Sequence, residues 1–299
     1  MKKLMLGNEA IARGAYEAGV RVVSSYPGTP STEITEFMAK YDEIYAEWAP
    51  NEKVAVETAS GASIAGGRAV SAMKHVGLNV AADPLFTMSY IGVNAGLVLC
   101  VADDPGMHSS QNEQDSRNYA LSSKIPMLEP ADSAECKDFM KKAFDLSEEF
   151  DTPVLMRLTT RIAHSQSLVE IEDRKEVPLK PYQKNIAKNA MVPANAKPKH
   201  IVVEERTEKL SAFAEHSEFN KVIMRGTDIG VITAGISYQY VEEALPDASV
   251  LKLGMVWPLP ENLIRDFASK VKTCYVIEEL DPFLENNIKA MGVHVIGKE

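Results

Sequence analysis

The stretch AVSAMKHVGLNVAADPLFTMSYIGVNAGLVLCVA, residues 69–102, decides the fold. Its two ends, Ala69–Lys74 and Leu97–Ala102, are short apolar runs typical of strands, and Asn79–Ile91 between them has a helical period. Two strands that flank a helix pair in parallel through a right-handed crossover, and helices cover both faces of the resulting sheet. This stretch therefore predicts an α/β fold built on a parallel sheet.

The same alternation of strands and helices extends on both sides of this stretch. Four further strands are predicted at Val20–Ser25, Ile44–Trp48, Met127–Glu129 and Pro153–Thr159. Four further helices are predicted at Asn8–Ala18, Ser31–Ala39, Asn51–Gly66 and Asp132–Glu149. Together they predict a first domain over residues 1–164.

The composition changes after this domain. Residues 165–225 contain four prolines among charged and polar residues, and they predict a linker that ends in a helical arm over His200–Lys221. A second alternating block covers residues 226–299. Its predicted strands and helices are Asp228–Thr233, Ser237–Ala244, Val250–Leu253, Glu261–Ser269, Cys274–Glu278 and Pro282–Met291. This block predicts a second, smaller α/β domain.

Charge and composition exclude several classes of function. The 299 residues carry a formal net charge of -10 and no run of Lys or Arg, so the chain would repel nucleic acid. The apolar run at the start of the sequence is too short for a signal peptide or a membrane span, which predicts a cytoplasmic chain. Cys100, Cys136 and Cys274 are isolated, so they cannot supply the clustered thiolates of an iron–sulfur centre.

The first candidate site is the turn SYPGTPSTE, residues 25–33, between a predicted strand and a predicted helix. Its prolines and glycine stiffen the turn, and its hydroxyl groups lie at a helix N-terminus, which favours an anion. Open parallel sheets bind ligands at this position, beyond the carboxyl ends of strands. The spacing alone also fits an ordinary strand-to-helix turn.

The second candidate is the helix Asn51–Gly66, which is rich in small residues and lets a flat cofactor approach closely. Glu52 and Glu57 lie five positions apart and do not share a helical face, so at most one of them is a functional acid. Either glutamate also fits a solvated first-turn residue that complements the helix dipole.

The third candidate is the polar loop ADDPGMHSSQNEQDSR, residues 102–117, directly after the apolar strand. A long polar loop at a strand's carboxyl end is seldom required by the fold alone, which favours a functional site. The guanidinium of Arg117 has the geometry to hold a carboxylate, and His108 can exchange a proton near neutral pH. The turn Lys74–Asn79 is placed to line the same cleft. A solvated loop with internal hydrogen bonds is the alternative.

Four segments, in this order and spacing, carry a resemblance to a known family: residues 6–20, 25–33, 73–84 and 101–117. The chain resembles the N-terminal part of the alpha subunit of indolepyruvate ferredoxin oxidoreductases, within the family of 2-oxoacid:ferredoxin oxidoreductases. The similarity covers nearly the whole sequence. It implies that the first domain is of the type that binds the pyrimidine half of thiamine diphosphate.

The resemblance also implies roles for particular residues. The family's cofactor glutamate, which hydrogen-bonds a pyrimidine nitrogen, aligns with Glu52 through the turn at Gly77, and Glu57 is the second choice. Gly77 is also expected to contact the cofactor. The family's turn that contacts the substrate aligns with residues 26–30. In it we expect Tyr26, Pro27 and Gly28 to contact the cofactor, and Thr29 to lie beside the oxoacid. Arg117 and His108 are expected near the substrate, with Arg117 at its carboxylate. The second block resembles the C-terminal domain of transketolases, with an architectural role.

The whole enzyme implied by the resemblance converts an aryl 2-oxoacid to acyl-CoA and carbon dioxide while reducing ferredoxin. It needs coenzyme A, Mg²⁺ and [4Fe-4S] clusters. The Gly-Asp-Gly motif that holds the diphosphate through Mg²⁺ does not occur in this sequence, so we expect the metal and the clusters outside this chain. A second (beta) subunit, a homo- or hetero-oligomer, and an isolated chain without activity are also expected.

Two other functions remain open at this point. The chain would be a non-catalytic assembly or binding module if it kept the fold without holding a cofactor. It would be part of a different thiamine-diphosphate enzyme if the complete protein lacked the ferredoxin step.

Overall fold

The computed structural model describes residues 1–298, whose strands form three sheets. The strands are β1 (Lys2–Leu6), β2 (Val22–Ser25), β3 (Tyr45–Trp48), β4 (Ala69–Lys74), β5 (Leu97–Asp103), β6 (Met127–Leu128), β7 (Val154–Thr159), β8 (Gln166–Glu170), β9 (Lys221–Ile223), β10 (Ile229–Ala234), β11 (Ser249–Leu253), β12 (Met255–Trp257) and β13 (Thr273–Ile277).

Helices connect these strands. They are α1 (Gly7–Glu17), α2 (Thr32–Met38), α3 (Glu52–Ile64), α4 (His75–Val80), α5 (Ala82–Ile91), α6 (Arg117–Ser123), α7 (Ser133–Phe150), α8 (Thr160–His164), α9 (Ile186–Asn189), α10 (Pro193–Ala214), α11 (Ile236–Ala244), α12 (Glu261–Ser269) and α13 (Phe283–Ala290). Within residues 1–298, none of them combines the length and apolar character that a membrane span requires.

The largest sheet has seven strands in the order β12-β6-β7-β5-β4-β2-β3. All neighbours in it pair in parallel except β12, which is antiparallel to β6. Strand β5 lies in the middle and is buried along its whole length, because apolar cores cover both of its faces. The predicted parallel α/β sheet is therefore confirmed, and the carboxyl ends of β2, β4 and β5 lie at one edge.

Several predicted boundaries differ from the structure. The predicted helix Asn79–Ile91 is two helices, α4 and α5, and the first already begins at His75. The helical arm begins at Pro193 rather than His200, since proline is well suited to the first helical position. It ends at Ala214 rather than Lys221, because residues 221–223 pair as strand β9 with β11.

The predicted linker packs along the first domain. Its beginning forms β8, which pairs antiparallel with β1, and neither strand was predicted. Further on, Lys175 N donates to Glu17 O at 2.9 Å, and Lys180 N donates to Gly66 O at 3.0 Å. The first half of the linker is thus fixed by backbone hydrogen bonds.

The second α/β block has a four-stranded sheet in the order β13-β10-β11-β9. Its strand β12 crosses into the seven-stranded sheet, and its side chains Leu253 and Phe267 belong to the same apolar core as Leu97 and Met127 of the first domain. Strand β9, residues 221–223, already belongs to this four-stranded sheet, so the change of sheet lies before residue 226, and the two blocks share one apolar core.

Candidate functional site

Three segments meet at the carboxyl edge of the seven-stranded sheet. They are the turn 26–30 after β2, the start of α4 after β4, and the loop 104–116 after β5. The side chain of Lys74 connects them, because its methylene carbons lie against Gly28 and its Nζ donates to Ser109 O at 3.0 Å. The parallel order of the strands thus brings the three segments of the sequence together.

Glu52 lies at the start of α3, facing this edge. Asn51 caps the helix, its side chain accepting a hydrogen bond from Val54 N at 2.9 Å. The Glu52 side chain is buried, with 9% of the residue exposed, and packs against Gly77 so closely that a Cβ there would lie 2.5 Å from Oε1. Within residues 1–298, its carboxylate has no hydrogen-bond or ion-pair partner. Neither carboxylate oxygen is fully enclosed, so both can be reached from the groove, and an accessible carboxylate without a partner marks Glu52 as a candidate ligand-binding group.

Glu57 is exposed on the same helix, whereas Glu52 is buried. Only one of the two therefore faces the interior of the groove, in line with their spacing of five residues. Burial thus favours Glu52 as the cofactor acid.

The turn 26–30 is open to solvent up to Thr29, and Pro30 is buried. Tyr26, Pro27 and Thr29 are exposed, and Gly28 is half-buried on Lys74. The hydroxyl groups that follow close the turn itself: Gly28 N donates to Thr32 Oγ1 at 2.9 Å, and Ser31 Oγ donates to Gly28 O at 2.8 Å. Ser31 thus donates its hydroxyl proton within the turn, whereas Thr32 Oγ1 only accepts there, and Thr29 is the turn's exposed hydroxyl.

His75 opens helix α4 and is buried. Its Nε2 lies 3.1 Å from Asn112 O. A carbonyl oxygen only accepts hydrogen bonds, so Nε2 carries the proton of this contact. The other ring nitrogen, Nδ1, is buried without a hydrogen-bond partner in the part of the chain that the structure describes. His75 therefore joins the loop 104–116 to the segment that contains Gly77.

The loop 104–116 is folded on itself around Asp104. The Asp104 carboxylate accepts from Ser109 N at 2.8 Å, Ser110 Oγ at 2.7 Å and Thr160 Oγ1 at 2.7 Å. Burial alone would raise the pKa of Asp104, but these hydrogen bonds lower it to about 2. Asp104 is therefore an ionised anchor of the loop. His108 is exposed at the loop's tip.

Arg117 lies at the far end of this loop, and its guanidinium is buried among groups of this chain. It is only 1% exposed. It binds Asp115 through Nε at 2.9 Å, Glu278 through Nη1 at 2.6 Å and the carbonyl oxygen of Glu279 through Nη2 at 2.8 Å. All of its nitrogens are engaged by this chain, so the structure does not bring Arg117 to Glu52 or Thr29 and lends no support to our prediction of a substrate contact.

Buried charged groups surround Arg117, and they were not predicted from the sequence. Arg157 in β7 is 1% exposed and pairs with Asp103 at 2.8 Å and with Glu129 at 2.6 Å. A single arginine within the apolar run VLMRLT, residues 154–159, was the available signal, because buried arginines are rarely found without acidic partners.

The chain is similar in sequence to proteins of one known family. The sequence profile of the family described as pyruvate flavodoxin/ferredoxin oxidoreductase, thiamine diphosphate-binding, matches residues 13–225. A relative from Archaeoglobus fulgidus, indolepyruvate oxidoreductase subunit IorA, is 46% identical over 312 aligned residues, which cover 99% of this chain and 50% of the relative. The chain thus spans about half the length of the curated relatives it matches.

Two solved structures share the fold. A 2-oxoglutarate:ferredoxin oxidoreductase from Magnetococcus marinus matches with a TM-score of 0.83 and 20% identity, over 99% of this chain and 62% of that one. A split-gene transketolase matches with a TM-score of 0.60 and 15% identity, over 97% of this chain and 86% of that one. Both likenesses confirm the predicted fold class, including its transketolase-like second block.

Proposed function

The chain belongs to the pyruvate flavodoxin/ferredoxin oxidoreductase family of thiamine-diphosphate-binding domains, and from this premise we propose that it forms the pyrimidine half-site of an indolepyruvate:ferredoxin oxidoreductase. The complete enzyme would oxidatively decarboxylate an aryl 2-oxoacid to acyl-CoA and pass the electrons to ferredoxin. The substrate class follows the relative from Archaeoglobus fulgidus, whose name specifies indolepyruvate.

The observation that carries this proposal is the Glu52 carboxylate. The residue is largely buried at the carboxyl edge of a parallel sheet, and its carboxylate has accessible oxygens and no partner within residues 1–298. A carboxylate oxygen is the acceptor or proton partner that a nitrogen of an aminopyrimidine ring requires. The donor chemistry at this position therefore fits the pyrimidine end of thiamine diphosphate.

Other residues of the groove fit a flat coenzyme. Gly77 lacks a side chain where a Cβ would collide with Glu52, so the acid has room to lie along α4. Tyr26, Pro27 and Gly28 form the rim on the other side of Lys74, and we assign them the cofactor contacts of the turn. When bound, thiamine diphosphate supplies a carbon nucleophile and an electron sink for the loss of carbon dioxide from a 2-oxoacid.

The substrate groups of the chain lie beyond this rim. We assign to the exposed hydroxyl of Thr29 a hydrogen bond to the oxoacid, and to exposed His108 a place near the substrate, since it lies on the loop that Lys74 ties to the same rim. Both assignments rest on position and chemistry. In this proposal Arg117 is left out of the set that contacts the substrate, because its guanidinium is buried among groups of this chain.

The proposal assigns the remaining chemistry to other parts of the enzyme. Mg²⁺, the diphosphate-binding residues and the [4Fe-4S] clusters lie outside this chain, and a second (beta) subunit, coenzyme A and ferredoxin complete the system. We place the enzyme in the cytoplasm, where its three cysteines, which are free and buried, would stay reduced.

The experiment that tests the proposal is the substitution Glu52→Gln in the assembled enzyme. Loss of the carboxylate should lower turnover at least about a hundredfold, the usual contribution of a positioned acid or base, and should weaken the binding of thiamine diphosphate in calorimetry. The thermal midpoint should stay close to that of the wild type, because glutamine has nearly the same volume.

Glu57→Gln is the matched control, since it makes the same change at an exposed position of the same helix. It should leave both turnover and coenzyme affinity unchanged. Near-normal turnover in Glu52→Gln would refute the assignment. Loss of turnover in Glu57→Gln instead would transfer the role to that residue. Full coenzyme binding without ferredoxin reduction in the wild type would indicate a different thiamine-diphosphate enzyme.

A further inference from the structure

A buried network of charges joins the two α/β blocks. Its arginines are Arg117 and Arg157, and its acids are Asp103, Asp115, Glu129 and Glu278. The first three acids belong to the first domain, whereas Glu278 follows β13 of the second block. Every one of these side chains is nearly inaccessible to solvent, so the pairs are shielded from screening by water and salt.

Arg117 is the member of this network that crosses between the blocks. Its Nη1 donates to Glu278 at 2.6 Å, and its Nη2 donates to the carbonyl oxygens of Glu279 at 2.8 Å and Asp281 at 3.2 Å. Glu278 is itself held in place, because it accepts the backbone N–H of Leu284 at 2.9 Å at the start of α13. The guanidinium is therefore fixed to a rigid part of the second block.

Arg117 also holds the end of the loop 104–116. Its Nε donates to Asp115 at 2.9 Å, and the adjacent Ser116 donates its backbone N–H to Asp103 at 3.1 Å. Asp103 is the last residue of β5 and pairs with Arg157 at 2.8 Å. One end of the loop is thus tied both to the central strand and to the second block.

The other side of the loop contacts the groove. Ser109 O accepts from Lys74, the residue that packs on Gly28, and Asn112 O accepts from His75, two residues before Gly77. These contacts form a continuous path from Glu278, through Arg117 and the loop, to the rim around the 26–30 turn. The second block can therefore set where the loop lies over the site.

We propose that Arg117 is a positioning residue, which uses its contact with Glu278 of the second block to hold the loop 104–116 over the substrate side of the groove. This role rests on the proposed function, and it replaces a direct contact with the oxoacid. The second block then does more than support the fold, because it sets the shape of the substrate site from a distance.

The test uses Arg117→Lys and Glu278→Gln in the assembled enzyme. Lysine keeps the positive charge but loses the branched guanidinium, and glutamine keeps the shape of Glu278 but loses its charge. Arg68→Lys is the matched control. Arg68 is also buried between two carboxylates, Asp145 at 2.7 Å and Glu148 at 2.9 Å, but it precedes β4 and so lies at the opposite edge of the sheet.

Two readouts separate positioning from a purely structural role. Hydrogen exchange of the Ser109 and Ser116 amides should become about tenfold faster in both test variants, because the loop opens locally more often. The KM for the 2-oxoacid should rise about tenfold while kcat changes less than about threefold, since binding rather than chemistry is affected. Arg68→Lys should change neither quantity.

Three outcomes would overturn the inference. The first is unchanged exchange of the loop in both variants. The second is a raised KM in Arg117→Lys with unchanged exchange, which would indicate direct contact with the substrate. The third is faster exchange with an unchanged KM. If Arg117→Lys does not fold, Glu278→Gln carries the same expectations. Failure of the proposed function would appear separately, as normal turnover in Glu52→Gln, which lies outside this network.

Discussion

Replacing Gly77 with alanine tests the position of the Glu52 carboxylate. The new Cβ would lie 2.5 Å from Glu52 Oε1 and 2.8 Å from its Cγ, whereas ordinary contacts begin at 3.4 Å. The carboxylate must therefore withdraw by roughly 1 Å, and a misplacement of that size costs about a hundredfold in rate. Gly77 lies within helix α4, so its backbone accepts alanine, and the steric cost to the fold should stay within about 1–3 kcal/mol.

The assay is the steady-state turnover of the assembled enzyme, together with a calorimetric titration of thiamine diphosphate. Gly77→Ala should turn over about a hundredfold more slowly and bind the coenzyme more weakly. The control is Gly61→Ala on the same helix as Glu52. Nothing lies within 4 Å of its added Cβ, and alanine should stabilise the helix by up to about 1 kcal/mol without changing turnover. A folded Gly77→Ala enzyme with wild-type turnover would refute the role of Glu52.

Two further substitutions test how the fold is held together. Gly66→Ala should lower the free energy of unfolding by about 1–3 kcal/mol for backbone strain alone, because Gly66 has a φ of +101°. The new Cβ would also lie 1.8 Å from Lys180 O, which adds to this cost. An unchanged denaturation midpoint would contradict the docking of the linker. Burial acts to raise the pKa of Glu148, but hydrogen bonds from Arg68 and Lys180 lower it from 4.5 to about 2. The stabilisation by Glu148 is thus complete above pH 4.5 and is lost as the pH falls towards 2. Glu148→Gln should lower the free energy of unfolding by about 2 kcal/mol at neutral pH, a value reduced because water screens part of this half-buried site. Urea denaturation at several acidic pH values should show that the stability of the variant depends less on pH than that of the wild type. Parallel curves of stability against pH would contradict this.

Local sequence patterns predicted most of the central sheet. Strand β5 is a continuous apolar run because both of its faces are covered, and the helical periods beside it required no knowledge of distant contacts. Strands β1 and β8 were missed because their pairing joins segments more than 150 residues apart. A two-stranded sheet is marginal by itself, so neither segment carries a strong strand pattern.

The candidate site was predictable where its residues follow strands of one sheet. The 26–30 turn, the start of α4 and the loop 104–116 meet because parallel strands end at the same edge. The buried pairing of Arg117 with Glu278 was not predictable in this way. Its partner Glu278 lies 161 residues away, and the pairing depends on how the second block packs against the first. An arginine whose buried ion pair joins the two α/β blocks cannot be told from a substrate-binding arginine by sequence alone.

The most direct measurement of the central claim is an experimental structure of the assembled enzyme with thiamine diphosphate bound. We predict that a Glu52 carboxylate oxygen lies within hydrogen-bonding distance, about 2.6–3.2 Å, of a pyrimidine ring nitrogen. A pyrimidine ring bound elsewhere, or held by Glu57 while Glu52 stays out of hydrogen-bonding distance, would contradict it.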